Sequence, residues 1–397
     1  MKVLFINTVH GKGSTGRIIS DIGHMIEKKG GEYKVAYGRG TPYDIEHSYF
    51  IGNRINTYFH ALLSRITDKA GFYSVLSTKR LIKFIQMYNP DIIHLHNLHG
   101  YYINIRILFT FLKEKFKGKI VWTLHDCWAF TGHCVHYSFA KCEKWKTGCF
   151  KCPEKSRYPA SYVLDNSYWN YKKKKELFSN VPNLIIVTPS VWLHNQVKKS
   201  FLGTYSVVVI NNGIDLSIFR LLDKRVKSEK KVIINVVDGM DSRKGFNDII
   251  SLRNILPSDY IIKVVGVSVP KNFKKEGIIF EQRTDSLEKL VEYYNEAECL
   301  INPTYEDTFP TINIEALACG LPVITYNAGG SPEAIDEGCG AVLSTGDIRG
   351  MYKAIIEHVG DSDKCIQKSF SYDKNLKYNE YLRLYTNLMC GEEMNEQ

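Results

Sequence analysis

Short apolar, β-branched runs alternate with helix-patterned segments along the whole chain, and this alternation limits the fold more than any other feature. The runs fall at Lys2 to Asn7, Asp91 to Leu95, Lys119 to Leu124 and Asn183 to Thr188. A second series falls at Val207 to Ile210, Val232 to Val237, Tyr260 to Val265, Cys299 to Asn302 and Pro322 to Tyr326. Helical patterns separate many of them: Ile18 to Lys29, Thr78 to Tyr88, Ile103 to Phe116, Phe246 to Leu256, Ser286 to Ala297 and Ile312 to Ala318. Short strands that are apolar on both faces, with helices between them, pack as parallel sheets covered on two sides. A chain of 397 residues also exceeds what one ordinary core serves. The expectation is an α/β chain of two doubly wound, Rossmann-like domains facing across a cleft, residues 1–205 and 206–371. The hinge is expected near Val207 to Asp215, and residues 372–397 are expected as a helix crossing back to the first domain and a tail.

Charge is divided unevenly. Residues 1–200 carry 30 Lys and Arg against 13 Asp and Glu, whereas residues 201–397 carry 22 against 29. A basic half suits an anionic surface or ligand, and nucleic acid and an anionic membrane leaflet both qualify. The run Tyr168-Trp169-Asn170-Tyr171 followed by Lys172 to Lys175 reads either as an interfacial segment or as a solvated helix face. The first apolar run breaks at Asn7 and reads as a strand rather than a secretory signal. No run of about 18 apolar residues predicts a membrane span, so a cytoplasmic location, peripheral at the inner membrane face, is expected.

The stretch Asp307 to Glu315, Asp-Thr-Phe-Pro-Thr-Ile-Asn-Ile-Glu, carries the most chemistry. Two carboxylates eight residues apart flank the expected start of a helix that ends at Gly320. A helix N-terminus offers unpaired N–H groups and partial positive charge, which suit phosphate. The segment is therefore expected to hold a phosphate-bearing, polyhydroxylated ligand. Three other loops follow strands and precede helices. His10 to Arg17 contains Gly11, Gly13 and Gly16 and reads as a phosphate contact or a tight turn; its spacing fits neither a dinucleotide fingerprint nor a Walker motif. Asp238 to Gly245 places Arg243 and Lys244 at a strand-to-helix junction, where two cations would neutralise a leaving diphosphate or form a solvated turn. Asn327 to Glu333 is the third. His125 ends a strand, where ligands of open parallel sheets gather, and reads as a substrate contact or a satisfied structural residue. His94, inside its strand, reads as core.

In this order, the motifs resemble retaining GT-B glycosyltransferases of the glycosyltransferase family 4, or group 1, type. The matching pieces are the glycine-containing first loop, Thr-Leu-His at a strand end, Val-Thr-Pro-Ser-Val-Trp-Leu, Ile-Asn-Asn-Gly-Ile-Asp with Phe219, Arg-Lys-Gly, the acid pair with Glu-Ala-Leu-Ala-Cys-Gly-Leu-Pro-Val, and Gly-Gly-Ser-Pro-Glu. The Trp- and Cys-rich insert after His125 resembles transferases of bacterial capsule, exopolysaccharide or O-antigen assembly. The resemblance implies an N-terminal acceptor-binding domain and a C-terminal nucleotide-sugar-binding domain. It implies that Glu315 binds ribose hydroxyls and Asp307 the donor sugar. The backbone of Phe309, Pro310, Thr311 and Ile312 would hold sugar and phosphate; Arg243, Lys244 and Gly16 would hold the diphosphate, and His125 would lie near the reacting sugar. It further implies a front-face, retaining transfer in which the leaving phosphate assists removal of the acceptor proton, with no catalytic metal. The donor would be a nucleotide-diphospho sugar and the acceptor a saccharide or lipid-linked saccharide. Nucleic acid is not an expected partner, and an anionic membrane surface is.

Two positions depart from the pattern. The first acid is usually Glu, and here it is the shorter Asp307. Asp238 stands where many members carry Arg, and an acid there repels a diphosphate unless it turns away. The insert, residues 127–160, holds five of the ten cysteines, and Cys134, Cys142, Cys149 and Cys152 have the spacing C-x7-C-x6-C-x2-C. These read as a structural zinc site, as reduced thiols or as redox pairs. Two competing functions remain: a nucleotide-sugar epimerase on the same fold, and a zinc-bearing nucleic-acid-binding protein, which the acidic second half disfavours.

Overall fold

The computed structural model describes residues 1–42, 44–223, 228–267, 275–284 and 286–391. The end of the expected tail, residues 392–397, lies outside the described residues. The chain divides into two compact units: Met1–Asn211 together with the segment from Lys377, and Asn212–Leu376.

The first unit is built on seven strands: β1 (Lys2–Asn7), β2 (Glu32–Tyr37), β3 (Ser48–Phe50), β4 (Ile92–Leu95), β5 (Lys119–Thr123), β6 (Leu184–Thr188) and β7 (Val207–Val209). They lie in the order β3-β2-β1-β4-β5-β6-β7, and every pairing is parallel. The run at Val207, expected to open the second series, pairs with β6 in this first sheet. The sheet is covered by α1 (Gly13–Lys28), α2 (Arg54–Thr67), α3 (Val75–Tyr88), α4 (Ile105–Glu114), α5 (Ser167–Phe178) and α6 (Val191–Lys198). Strand periodicity divides the core. Leu4, Ile6, Ile93, Leu95, Ile120 and Trp122 pack on one face; Val3, Phe5, Ile92 and Val121 pack on the other.

The second unit has six parallel strands, β8 (Lys231–Val236), β9 (Tyr260–Val265), β10 (Ile278–Glu281), β11 (Cys299–Asn302), β12 (Val323–Tyr326) and β13 (Gly340–Leu343). Their order is β10-β9-β8-β11-β12-β13. The helices are α7 (Phe246–Ile255), α8 (Leu287–Glu296), α9 (Thr311–Ala318), α10 (Ile348–Ile356) and α11 (Ser362–Ser369). The expectation of two doubly wound, Rossmann-like sheets, the GT-B pattern, is thus met.

The last helix, α12 (Lys374–Cys390), joins the first unit from Lys377 onward. Tyr378, Tyr381, Leu382, Tyr385 and Leu388 pack beside Val3, Phe5 and Ile92. Two of its hydroxyls reach the strands: Tyr385 bonds His94 Nδ1 at 2.6 Å and Tyr381 bonds Thr123 at 3.2 Å. His94 is fully buried and bonds Thr123 with its other nitrogen at 2.8 Å, which fits the core role expected of it.

The Tyr168 to Lys175 run lies on α5, and much of it faces inward. Lys174 is 1% exposed and donates to the Trp128 and Thr131 carbonyls at 2.8 and 3.1 Å. Its ammonium also stands 3.5 Å from the Trp128 ring centroid, and burial pushes its pKa down to about 7. Asn170 and Tyr171 are buried as well. The cluster is therefore neither a solvated face nor an interfacial one along its length; part of it is core.

Candidate functional site

In a doubly wound sheet, a crevice forms at the carboxyl ends of the two strands where the strand order reverses. In the second unit those strands are β8 and β11, which are neighbours although α7, β9, β10 and α8 lie between them in sequence. The loop after β8 carries Arg243 and Lys244; the loop after β11 carries Asp307. Lys244 Nζ lies 2.7 Å from Asp307 Oδ2 and donates to the Glu306 carbonyl at 3.2 Å. Arg243 is held by two carboxylates: Asp241 Oδ2 accepts from its Nε and Nη2 at 2.9 and 2.6 Å, and Glu306 Oε1 accepts from Nη1 at 3.1 Å. Glu306 is only 2% exposed, so the guanidinium satisfies a carboxylate that burial would otherwise penalise.

Backbone geometry makes this approach possible. Gly245 has φ of +74°, and a Cβ there would lie 2.2 Å from the Pro303 carbonyl oxygen. The Arg-Lys-Gly turn can therefore sit directly against the end of β11, where the Tyr305 amide donates to the Arg243 carbonyl at 2.8 Å. Below it, Asp248 on α7 accepts from the hydroxyls of Tyr305 and Tyr326, each at 2.8 Å. Gly329 plays the corresponding part on the third loop: φ is +60°, a Cβ would meet the Asp307 carbonyl oxygen at 1.8 Å, and the Gly330 amide donates to that oxygen at 3.0 Å.

Helix α9 begins in the same loop. Pro310 is its N-cap and no side chain caps it, while the Asp307 carboxylate accepts from the Phe309 amide at 3.3 Å. Phe309 is 3% exposed, and Thr311 and Ile312 are half-buried. Asn313 fixes the helix from within by bonding Asn302 and Ser331. Glu315, one turn further on, is 4% exposed and accepts a hydrogen bond from Tyr294 of α8 at 3.0 Å. The second unit thus gathers Arg243, Lys244, Asp307, Phe309 to Ile312 and Glu315 around one helix start. Asp238 turns outward: its side chain is 90% exposed and stands 3.7 Å from Arg283. Sequence reading missed Asp241, Glu306 and Tyr294, although Glu306 is the immediate neighbour of Asp307 and Asp241 lies two residues before Arg243.

In the first unit the order reverses between β1 and β4. Their loops are tied together: Thr8 Oγ1 bonds the carbonyls of Asn97 and His99 at 3.1 and 2.7 Å. Gly16 lies in the first turns of α1, buried, with its carbonyl accepting from the Gly11 amide at 3.3 Å; a Cβ there would press on Gly11 N at 3.1 Å. His125 follows β5. Its Nε2 lies 2.9 Å from Nδ1 of His96, and burial pushes its pKa down to about 4. Burial lowers His96 as well, so this imidazole pair is neutral at ordinary pH. Beside it, His99 pairs with Asp126 at 2.7 Å and with the Tyr158 hydroxyl at 3.0 Å.

Within the insert, Cys134 and Cys149 are buried and Cys142 and Cys152 are partly buried. The Gly132 amide donates to Cys149 Sγ at 3.1 Å, and Cys134 and Cys152 stand near enough to shift one another's ionisation, Cys134 upward and Cys152 downward. Nearby, His133 pairs with the buried Asp68. Cys134 feels the charge of Cys149 and Cys152, and Cys149 that of Cys142; among the described residues, no three His, Cys, Asp or Glu side chains are grouped to hold a metal ion, and no role is derived for a metal.

Residues 252–361 match the family described as group 1 glycosyl transferases. Over 366 residues, covering 88% of each chain, the sequence is 24% identical to a putative colanic acid biosynthesis glycosyl transferase, WcaC, of Escherichia coli K12. Among solved structures, sucrose-phosphate synthase of Thermosynechococcus elongatus superposes with a TM-score of 0.71 at 16% identity, over 99% of this chain and 100% of that one. Anabaena Alr3699/HepE in complex with UDP-glucose gives 0.65 at 11% identity, over 98% and 100%. The chain is therefore similar to group 1 glycosyl transferases through much of its second unit, similar to a putative colanic acid biosynthesis glycosyl transferase over most of its length, and alike in fold to sucrose-phosphate synthase and Alr3699/HepE.

Proposed function

We propose that this chain is a retaining glycosyltransferase that moves a sugar from a nucleotide-diphospho sugar to a saccharide acceptor, free or lipid-linked, in surface polysaccharide assembly. The observation that carries the reading is the Lys244–Asp307 contact of 2.7 Å at the β8/β11 crevice, beside the uncapped start of α9. It puts a cation, a hydroxyl acceptor and a helix N-terminus at one point, the set a sugar diphosphate needs. The colanic acid relative and the fold-mate holding UDP-glucose support the same reading.

In this reading donor binding is an exchange. The diphosphate takes Lys244 from Asp307 and shares Arg243 with its carboxylates, and Asp307 turns its acceptor oxygens to the sugar hydroxyls. Glu315, oriented by Tyr294, accepts from the ribose hydroxyls. The amides of Phe309, Thr311 and Ile312 face the phosphate and sugar. As the glycosidic bond to phosphate breaks, negative charge grows on the leaving diphosphate, and Arg243 and Lys244 stabilise that charge more than they stabilise the ground state. Retention follows if the acceptor oxygen arrives on the face the phosphate leaves, with the phosphate accepting its proton. In the first unit, His125 is the candidate for substrate contact.

The test is sugar transfer from nucleotide sugars first ranked by thermal shift. Glu315→Ala and Lys244→Ala are expected to abolish transfer while remaining folded; full activity in either removes the assignment. Release of nucleoside diphosphate that requires acceptor marks a transferase. Epimerised nucleotide sugar formed without acceptor marks an epimerase.

A further inference from the structure

Helix α2 is inside out. Its sequence, Arg-Ile-Asn-Thr-Tyr-Phe-His-Ala-Leu-Leu-Ser-Arg-Ile-Thr, places Ile55, Tyr58, Phe59, Leu62 and Ile66 at i, i+3, i+4, i+7 and i+11, one face of a helix. A globular helix ordinarily turns such a face to the core. Here those five side chains are 73, 75, 62, 52 and 42% exposed, and the buried positions are His60 and Ser64. The inward face is satisfied by polar contacts: His60 Nδ1 bonds the Ser74 hydroxyl at 2.7 Å, the Gly71 amide donates to His60 Nε2 at 3.1 Å, and the Ser64 hydroxyl donates to the His60 carbonyl at 2.8 Å. The two side-chain bonds of His60, to Ser74 and Gly71, tie this face to the chain outside the helix. A rotation of the helix to bury its apolar stripe would break those two.

The exposed stripe is extended by its neighbours. Residues 162–164 run along the last turn of α2, with the Tyr162 and Leu164 amides donating to the Arg65 and Ile66 carbonyls at 2.7 and 3.0 Å. Tyr162, Val163 and Leu164 are 66, 61 and 48% exposed. Monomeric proteins rarely leave an apolar surface of this kind uncovered.

Charge says what covers it. Residues 47–90 contain six Lys and Arg, namely Arg54, Arg65, Lys69, Lys79, Arg80 and Lys83, against a single acid, Asp68. Asp68 is 2% exposed and is spent on His133 and on the Asn166 amide. The nearest exposed acid on the flanking segment, Asp165, is bound to the Cys152 and Ser167 amides and the Ser167 hydroxyl. Arg54 and Arg65 stand on α2 at either end of the stripe, both exposed. An apolar, aromatic stripe with cations at its ends and no acid within the helix is the chemistry of a helix lying in an anionic lipid interface. No described helix is long and apolar enough to cross a membrane; α2, 14 residues and about 21 Å long, fits lying in the plane.

We infer that the α2 face, with residues 162–164, is the surface by which this protein docks on an anionic bilayer. The inference rests on the surface of the first unit alone and does not depend on the transfer reading. It relocates the basic-aromatic contact expected at Tyr168 to Lys175, part of which is core.

The test uses the full chain and vesicles of phosphatidylcholine with or without about 30% phosphatidylglycerol, read by flotation. Wild type is expected to float with the anionic vesicles, less so in high salt, and to remain with the soluble fraction when phosphatidylcholine is used alone. The variant I55S/Y58S/F59S/L62S alters only exposed side chains and is expected to keep the wild-type melting temperature while losing at least tenfold in vesicle partitioning. R54E/R65E should lose anionic selectivity. Phe59→Trp should shift its emission to the blue on vesicles and be quenched by brominated acyl chains. Unchanged flotation of the serine variant, equal binding to neutral vesicles, or a wild-type dimer that the serine variant dissociates without any vesicle binding would each overturn the inference. The last outcome would assign the face to a second copy of the chain.

Discussion

Asp307→Asn separates the two tasks assigned to that carboxylate, because it keeps the shape and removes the charge. In the unliganded site Asp307 holds Lys244 at 2.7 Å, with the two side chains 24 and 34% exposed. Opposite charges about 4 Å apart near a protein surface attract by about 4 kcal/mol before solvation is counted. Partial exposure and the entropy of fixing a lysine leave a net of about 1–2 kcal/mol. An arriving diphosphate must overcome that pairing. Without it, nucleoside diphosphate should bind about 5- to 30-fold tighter. The same substitution replaces a charged acceptor for sugar hydroxyls by a weaker neutral one. A hydrogen bond to a charged group contributes about 1.5–3 kcal/mol, so kcat/KM should fall about 10- to 150-fold. Calorimetric titration of the two proteins with UDP, ADP and GDP gives the first quantity, and initial transfer rates with the preferred donor give the second. The two effects have opposite signs, which a general loosening of the loop cannot produce. Weaker diphosphate binding in Asp307→Asn, or transfer at the wild-type rate, would refute the exchange.

Other perturbations follow from the same geometry. Tyr294→Phe removes the hydroxyl that holds the buried Glu315 carboxylate. It is expected to cost about 1.5–3 kcal/mol in urea denaturation and to raise the KM for donor more than it lowers kcat. Gly329→Ala forces a Cβ into the Asp307 carbonyl at a positive φ. It should destabilise the second unit by more than about 1 kcal/mol and abolish transfer, read by thermal melting beside activity. His60 and His125 are held near pKa 3 and 4, and His94 and His96 are lowered as well, all by burial first. Their unfolded values lie near 6.5, so the unfolded chain takes protons first as pH falls. Their stabilising contribution is complete above about pH 6.5 and is lost below it, by about 1.4 kcal/mol per pH unit for each histidine. Urea midpoints should therefore fall between pH 7 and pH 5; a flat profile contradicts the neutral burial of these rings.

Much of the fold was legible because parallel strands covered on both sides must be apolar throughout, and nine such runs could be marked. Those runs were found nearly residue for residue at β1, β9 and β11. The strands that escaped, β2, β3, β10 and β13, lie toward or at the sheet edges, where a polar residue is tolerated and the pattern blurs; β7, also at an edge, was legible because it is valine throughout. Glu32 and Lys34 in β2 show this. The candidate site was legible for the reason given by topology: loops after strands carry ligands, and Arg243, Lys244, Asp307 and Glu315 all stand in or just beyond such loops. Their partners were not legible. That Arg243 spends its guanidinium on Asp241 and Glu306 depends on a turn packed against the end of β11 across about 60 residues of sequence.

The amino-acid sequence by itself determined the repeating strand–helix units, the two-sheet organisation and the residue types at the strand ends, because each follows from local periodicity and burial on two faces. Tertiary structure alone decided which charges neutralise one another and which apolar faces stay outside. Helix α2 makes the distinction plain. Its pattern of apolar residues is that of a core helix, and nothing local tells it from one. Hydrogen bonds to residues outside the helix, of His60 with Ser74 and Gly71 and of Thr67 with Tyr73, hold that face outward, because a buried polar face already satisfied costs less than breaking it to bury the other.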